Sequence, residues 1–171
     1  MKQYDRELEY SFSVSAAKAA KLFRDGTLTP VATERITQTW LEQGEVGGYK
    51  IRRRIRKIEA LTYDKVIYEY TTKYSKNDEK AATQDNMELN AEITPEEYEK
   101  LKKIYEVAGK EEVVKIRTYF RTPLNTLSIY TLDTYPNEEG DRARIEIEFK
   151  SKEEMSRWKA PDWFKELINE K

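Results

Sequence analysis

Apolar and charged residues alternate along most of this chain. In "YDRELEYSFSV" (4–14), Glu7 and Glu9 fall on one side and Leu8 and Tyr10 on the other, which is the period of a strand. The same period runs through "KIRRRIRKIEAL" (50–61), "KVIYEYTTKY" (65–74), "MELNAEI" (87–93) and "EVVKIRTYFR" (112–121). It continues in "TLSIYTLDTYP" (126–136) and "RARIEIEFKS" (142–151). "VATERITQTWLEQGE" (31–45) is rich in Thr, Val, Ile and Trp and also reads as extended. Two stretches have helical character instead. "SAAKAAKLF" is alanine-rich behind Ser15, a candidate N-cap. "TPEEYEKLKKIYEVAG" carries Thr94 as cap, Pro95 in the first turn, Glu97 to complete a capping box and Gly109 as a stop. "SKEEMSRWK" predicts a third, small helix, and "APDWFKELINEK" closes the chain. "RDGTLTP", "GEVGGYK" and "TYDK" are turn signals, and the polar stretch 75–86 is expected to be a mobile loop. The sum is about eight strands, mostly antiparallel by their short connections, with about three helices, an α+β layout on one sheet or barrel.

Taken one face at a time, the strands sort their residues sharply. One face holds Glu7 and Glu9, then Lys50, Arg52, Arg54 and Arg56, then Glu69 and Lys73. Glu88 and Glu92 follow, then Lys115, Arg117 and Arg121, then Asp133, and finally Arg144, Glu146 and Glu148. The other face is apolar. A sheet with one wet face explains this for any single strand, with cross-strand ion pairs adding a few tenths of a kcal/mol each, about what such pairs contribute. It explains less well why nearly every wet position carries a full charge. The alternative is a closed barrel whose apolar faces point outward under helices and whose charges point into the lumen. Crowded lumen charges need compensation. A hard divalent cation suits the carboxylates and a polyanion suits the arginines and lysines.

Composition narrows the chemistry. The 171 residues are enough for one domain, expected to span 1–171. Charged residues make up 37% and mean hydropathy is -0.90, values that alone would suggest disorder. Twelve tyrosines, five phenylalanines and three tryptophans supply a core. Net charge is -1, which gives no case for a broad nucleic-acid face, and no nucleic-acid partner is expected. The strand spacing of "IRRRIRK" favours gripping phosphate over a nucleic-acid patch. There is no cysteine and no histidine, so thiol chemistry and the usual general base and transition-metal ligand are excluded. Any metal is expected to be hard and oxygen-ligated, Mg²⁺ or Mn²⁺. No apolar run approaches a membrane span and no signal peptide opens the chain, so a cytoplasmic protein with no membrane partner is expected. Tyr10, Phe12, Trp40, Tyr68 and Tyr70 are expected in the outer core, and Trp158 and Trp163 are expected to seat the C-terminus.

The order of these segments resembles the CYTH superfamily, the triphosphate tunnel metalloenzymes, which includes class IV adenylyl cyclases, thiamine triphosphatases and inorganic triphosphatases. The carriers of the resemblance are "ELEYS" for an opening E-x-E-x-K, "ITQTWL", the R-x-R within "IRRRIR", "YTTK", and "MELNAEITPEEYEKL". "KIRTY", "LDTY", the E-x-E of "RIEIEF" and "PDWF" follow in order. The resemblance implies an eight-stranded antiparallel β-barrel that holds a triphosphate-containing small molecule. It implies metal-binding carboxylates at Glu7, Glu9, Glu146 and Glu148, with Asp133 nearby. It implies phosphate-binding cations at Arg52, Arg54, Lys73, Lys115 and Arg117, with Arg56 competing with Arg52 because "RRRIR" allows two registers. Hydrolysis of inorganic triphosphate, a nucleoside triphosphate or thiamine triphosphate is the implied reaction. Phosphoryl transfer to water depends more on positioning and charge neutralisation than on a strong base. One departure matters: Ser11 stands where the family has its opening lysine, so no catalytic residue is assigned. Lys18 and Lys21 are candidates to replace it. Non-catalytic binding of a phosphorylated nucleotide or polyphosphate is the alternative. Cyclase activity ranks third, since the histidine often found in that branch is absent. Dimers occur in the family, so a homodimer is one expected assembly.

Overall fold

The structure is a computed structural model and describes residues 3–76, 83–122 and 129–167. Among these residues the chain forms β1 (Gln3–Val14), α1 (Ala16–Arg24), β2 (Thr29–Val46), β3 (Tyr49–Ala60), β4 (Lys65–Lys76) and β5 (Thr83–Glu92). Then come α2 (Pro95–Val107), β6 (Glu112–Arg121), β7 (Ile129–Thr134), β8 (Ala143–Phe149), α3 (Lys152–Arg157) and α4 (Asp162–Lys165). The eight strands close into one barrel in the order β1-β5-β4-β3-β2-β6-β7-β8. Every neighbouring pair is antiparallel, and β8 closes on β1 through pairs such as Glu9 with Glu148 and Ser11 with Glu146. The closed alternative is therefore the observed one, and no long strand edge is left open.

The apolar faces point outward and the core lies outside the barrel wall. α1, α3 and α4 cover one side, where Leu8, Leu22, Phe120, Leu132, Ile145, Ile147, Met155 and Phe164 are buried together. Tyr10 and Phe12 pack against that cluster, and Trp158 and Trp163 seat the C-terminal helices on it. α2 covers the other side, with Tyr98 buried against Leu41 and Ile55 and flanked by Tyr68 and Tyr70. Burial of such side chains contributes roughly 1.5–3 kcal/mol each, so this outer layer stabilises the barrel while leaving the lumen to polar groups.

The helix ends form as their sequences predict. Ser15 accepts a hydrogen bond from the backbone N–H of Lys18, and Thr94 and Glu97 form a reciprocal capping box. Gly109 stops α2 with φ +75°, a conformation that costs a side-chain-bearing residue. Two expectations need correction. The polar stretch 75–86 is not all loop: Ser75 and Lys76 finish β4, and 83–86 open β5, while 77–82 lie outside the described residues. Ser75 is half-buried and Lys76 is exposed, so no apolar residue marks the end of β4. The C-terminal stretch also contains a one-turn helix of its own, α4, although 168–171 lie outside the described residues.

The third departure is at Trp40. The Gly47–Gly48 hairpin, with both glycines at positive φ, sets the register Val46 with Tyr49 and Gln43 with Arg52. A β-bulge then inserts one residue in β2, so Trp40 rather than Leu41 lies opposite Arg54. Leu41 turns outward into the α2 cluster, and Trp40 turns into the lumen. Trp40 is not part of the outer core.

Candidate functional site

Because side chains alternate along a strand, once one face is sealed under helices the other must fill the lumen. Toward the end that carries the β2–β3 hairpin and the β7–β8 loop, the lumen opens into a cavity of about 300 Å³. Its cationic wall comes from Arg52 and Arg54 on β3, Lys73 on β4 and Lys115 on β6. Its acidic wall comes from Glu9 on β1, Glu146 on β8 and Asp133 on β7. Ser11, Gln38 and Trp40 complete the inner surface, and Tyr135, Glu138, Arg142 and Arg144 surround its β7–β8 side.

The sequence-predicted carboxylates divide into three kinds. Glu9 is buried at 5% exposure and lines the cavity with Glu146. Glu148 sits opposite Glu9 in register, but its side chain is exposed. Glu7 is placed by its backbone alone, opposite Asn86 of β5. Asp133 is 1% exposed and already engaged. Arg117 grips both of its oxygens, Nε to Oδ1 at 2.8 Å and Nη2 to Oδ2 at 2.9 Å, and Lys115 Nζ approaches at 3.1 Å. Burial alone would raise the Asp133 pKa, but the Arg117 hydrogen bonds and charge, with Lys115, hold it below the ordinary carboxylate value. Burial pulls Lys115 down to about 8, assisted by the like charge of Arg117 and resisted by Asp133.

The predicted cations divide in the same way. Arg117 serves Asp133, and the same Nη2 that donates to Asp133 Oδ2 lies 3.8 Å from Glu146 Oε2. Arg56 does not line the cavity; its Nη2 donates to Glu69 at 2.9 Å deeper in the barrel. Beside it, Glu34 has its pKa raised by burial against the lowering pull of Arg117 and Arg56. Arg52, Arg54 and Arg56 thus share one inward face, and the two registers left open by "RRRIR" collapse into one strand with Arg52 and Arg54 in the cavity. Arg54 contacts Glu88 at 3.5 Å. The Nε atoms of Arg52, Arg54 and Arg56 are buried and lack a hydrogen-bond partner among the described residues. Native interiors rarely leave such donors unmet unless a ligand meets them.

Among the described residues no three acidic side chains gather closely enough to hold a metal ion alone. The donors still fit a hard cation. Mg²⁺ characteristically takes one or two carboxylates and completes its shell with waters and substrate phosphates. Glu9 and Glu146 are two such carboxylates in one cavity, and Ser11 Oγ and Gln38 Oε1 are buried oxygens there without a partner. Asp133 fits less well, since both its oxygens are held by Arg117.

Several contributors escape a sequence reading. Gln38 and Trp40, opposite Arg56 and Arg54 on the stretch of β2 just before its bulge, are two of them. Tyr135 and Arg142 belong to the β7–β8 loop, where the guanidinium lies 4.5 Å from the ring centroid and pairs with Glu138 at 3.3 Å. Asp141 fastens this loop to α1, accepting from the Ala17 N–H at 2.7 Å and from the Ser15 hydroxyl. Lys18 and Lys21 are exposed on α1 and do not line the cavity, so neither stands in for the missing lysine.

No protein-family model and no curated protein matches the chain. Solved structures do. The adenylyl-cyclase candidate HpAC1 from Hippeastrum, whose dominant activity is given as triphosphatase, is 15% identical, with 88% of this chain and 82% of that one covered at TM-score 0.57. An adenylate cyclase candidate from Bacillus halodurans is 14% identical over 90% and 85% of the two chains, at TM-score 0.56. The PH1819 protein from Pyrococcus horikoshii OT3 is 20% identical over 86% and 82%, at TM-score 0.53. The eight-stranded barrel described above has the fold of these proteins, in agreement with the tunnel fold that the sequence resemblance implies.

Proposed function

We propose that the barrel binds a triphosphate compound together with a divalent metal and hydrolyses its terminal anhydride to diphosphate and phosphate. The observation that carries this is the pairing of two walls in one cavity. Arg52 and Arg54 line one side, Arg52 with a buried Nε that has no hydrogen-bond partner among the described residues, and Glu9 and Glu146 stand on the other. Phosphate oxygens meet the first wall and a hard cation meets the second.

In this mechanism Arg52, Arg54 and Lys73 bind the phosphate chain and neutralise charge that spreads over its peripheral oxygens. Lys115, positioned by Asp133, adds a charge deeper in the cavity. Glu9 and Glu146 would hold the metal, which when bound supplies Lewis-acid stabilisation of phosphate oxygens. The oxygen of water bonds to the terminal phosphorus, the bridging P–O bond breaks, and the electron pair leaves with diphosphate. The inorganic, nucleoside and thiamine triphosphates all present this chemistry.

Ser11 supports a second reading, binding without turnover. Its hydroxyl lines the cavity where a lysine of the resembled family would project. A phosphate-release assay with Mg²⁺ or Mn²⁺ over inorganic triphosphate, ATP and thiamine triphosphate separates the two. Metal-dependent release supports hydrolysis. Calorimetric binding without release establishes the second reading, and neither binding nor release overturns both.

A further inference from the structure

The lumen holds its cations by two different devices. Arg117 and Lys115 are held by Asp133, and Arg56 by Glu69, so each of these cations is anchored by a carboxylate inside the lumen. Arg52 is held differently. Its guanidinium carbon lies 5.1 Å from the centroid of the Trp40 ring, and that of Arg54 lies 5.2 Å from the same ring. No carboxylate is within ion-pair distance of Arg52 among the described residues. An aromatic face attracts a cation through its quadrupole and fixes the guanidinium plane, yet it carries no net charge to cancel. The carboxylate alternative would give tighter anchoring, but it would offer a polyanion a neutral pair.

We infer that Trp40 is a positioning residue: its ring, facing the lumen beside the β2 bulge, holds the Arg52 and Arg54 guanidiniums in place for a polyphosphate chain while leaving the Arg52 charge uncancelled, whereas Arg54 is also held by Glu88 at 3.5 Å. This rests on the triphosphate reading above and deepens it. The bulge is what makes it possible, because without the inserted residue Leu41 would occupy the inward position opposite Arg54. An aliphatic side chain there would fill space but leave both long, flexible arginines to pay their own ordering entropy on binding. The inward Trp40 supplies that order before the ligand arrives.

The test is calorimetric titration of inorganic triphosphate with Mg²⁺ into the full chain and its Trp40→Leu, Trp40→Phe and Arg52→Gln variants, with thermal unfolding to verify folding. Inorganic triphosphate is chosen because it has no ring to stack. The expected result is about tenfold weaker binding for Trp40→Leu, the equivalent of a moderate cation–π contact, with Trp40→Phe intermediate. In the Arg52→Gln background, Trp40→Leu should cost less than it does in the wild type, because one of its two clients is gone. Unchanged inorganic triphosphate binding by a folded Trp40→Leu variant overturns the inference. So does a loss confined to ATP or thiamine triphosphate, which would make Trp40 a stacking surface for the organic group. If Trp40→Leu does not fold, Trp40→Phe decides alone, and wild-type affinity in that variant overturns the inference. Absence of any binding by the wild type would instead defeat the triphosphate reading itself.

Discussion

The mouth and the floor of this lumen use the same residue types to opposite ends. At the floor, Arg117 takes both oxygens of Asp133, Lys115 shares that carboxylate, and Arg56 donates to Glu69. At the mouth, Glu9, Glu146 and Arg52 line open space, Trp40 supports Arg52, and buried oxygens of Ser11 and Gln38 have no partner. Charge density does not distinguish the two regions; satisfaction does. A closed barrel with a charged interior needs self-paired charges to hold its shape, and these give back most of their desolvation cost only when geometry is good. Arg52, which has no carboxylate partner among the described residues, is the charge positioned to meet a ligand.

The largest effect expected from this contrast is at the floor. Asp133→Asn removes the shared anion and strands two buried cations, so it should destabilise the fold by about 3–5 kcal/mol, read by urea unfolding. The acid limb should change with it. Because the Asp133 carboxyl is depressed below the ordinary aspartate value, its stabilisation is complete above that ordinary value and fades as pH falls through the lower folded value. In Asp133→Asn this part of the acid slope should disappear. A variant as stable as wild type would erase the distinction between floor and mouth.

At the mouth, Glu9→Gln with Glu146→Gln should cost the fold less than Asp133→Asn does. It should lower Mg²⁺-dependent phosphate release by about a hundredfold or more, since metal-borne charge stabilisation is worth several kcal/mol. Persistent metal-dependent release would remove both residues from the metal site. Arg52→Gln should weaken triphosphate binding by about ten- to a hundredfold, the range of a lost charged hydrogen bond. Arg56→Gln, by comparison, should lower the unfolding midpoint more than it lowers affinity, because it leaves Glu69 unpaired. If the two arginine variants behave alike, the split between mouth and floor fails.

The smallest effect is a pH dependence. Lys115 in the free protein carries its charge below about 8 and loses it above that value. Bound phosphate favours the charged form, so affinity should fall above pH 8, by at most about tenfold per pH unit. Lys115→Arg should remove this decline. A decline that persists unchanged in Lys115→Arg would place the titrating group elsewhere.

The fold was readable in the sequence wherever one face is sealed under helices. Strands such as "RARIEIEF" announce their faces because Ile145, Ile147 and Phe149 must reach the outer core. The inward set of Glu9, Arg52, Arg54, Lys73, Lys115 and Glu146 follows from the same alternation. Three things were not readable. A single inserted residue in β2 reversed the facing of Trp40 and Leu41, and nothing in "QTWLEQ" marks where a bulge falls. The polar ends of β4 and β5 lack the hydrophobic signal that identifies a strand. Pairing inside the lumen, Asp133 with Arg117 above all, depends on which strands adjoin, and β6 meets β7 in a register that local spacing does not determine.

The most direct test of the account is phosphate release from inorganic triphosphate with Mg²⁺, measured beside calorimetric binding, for the wild type and Arg52→Gln. The account predicts a single wild-type binding site with metal-dependent release of one phosphate per triphosphate, and binding weakened at least about tenfold in Arg52→Gln. A wild-type protein that neither binds nor cleaves inorganic triphosphate, ATP or thiamine triphosphate would contradict it.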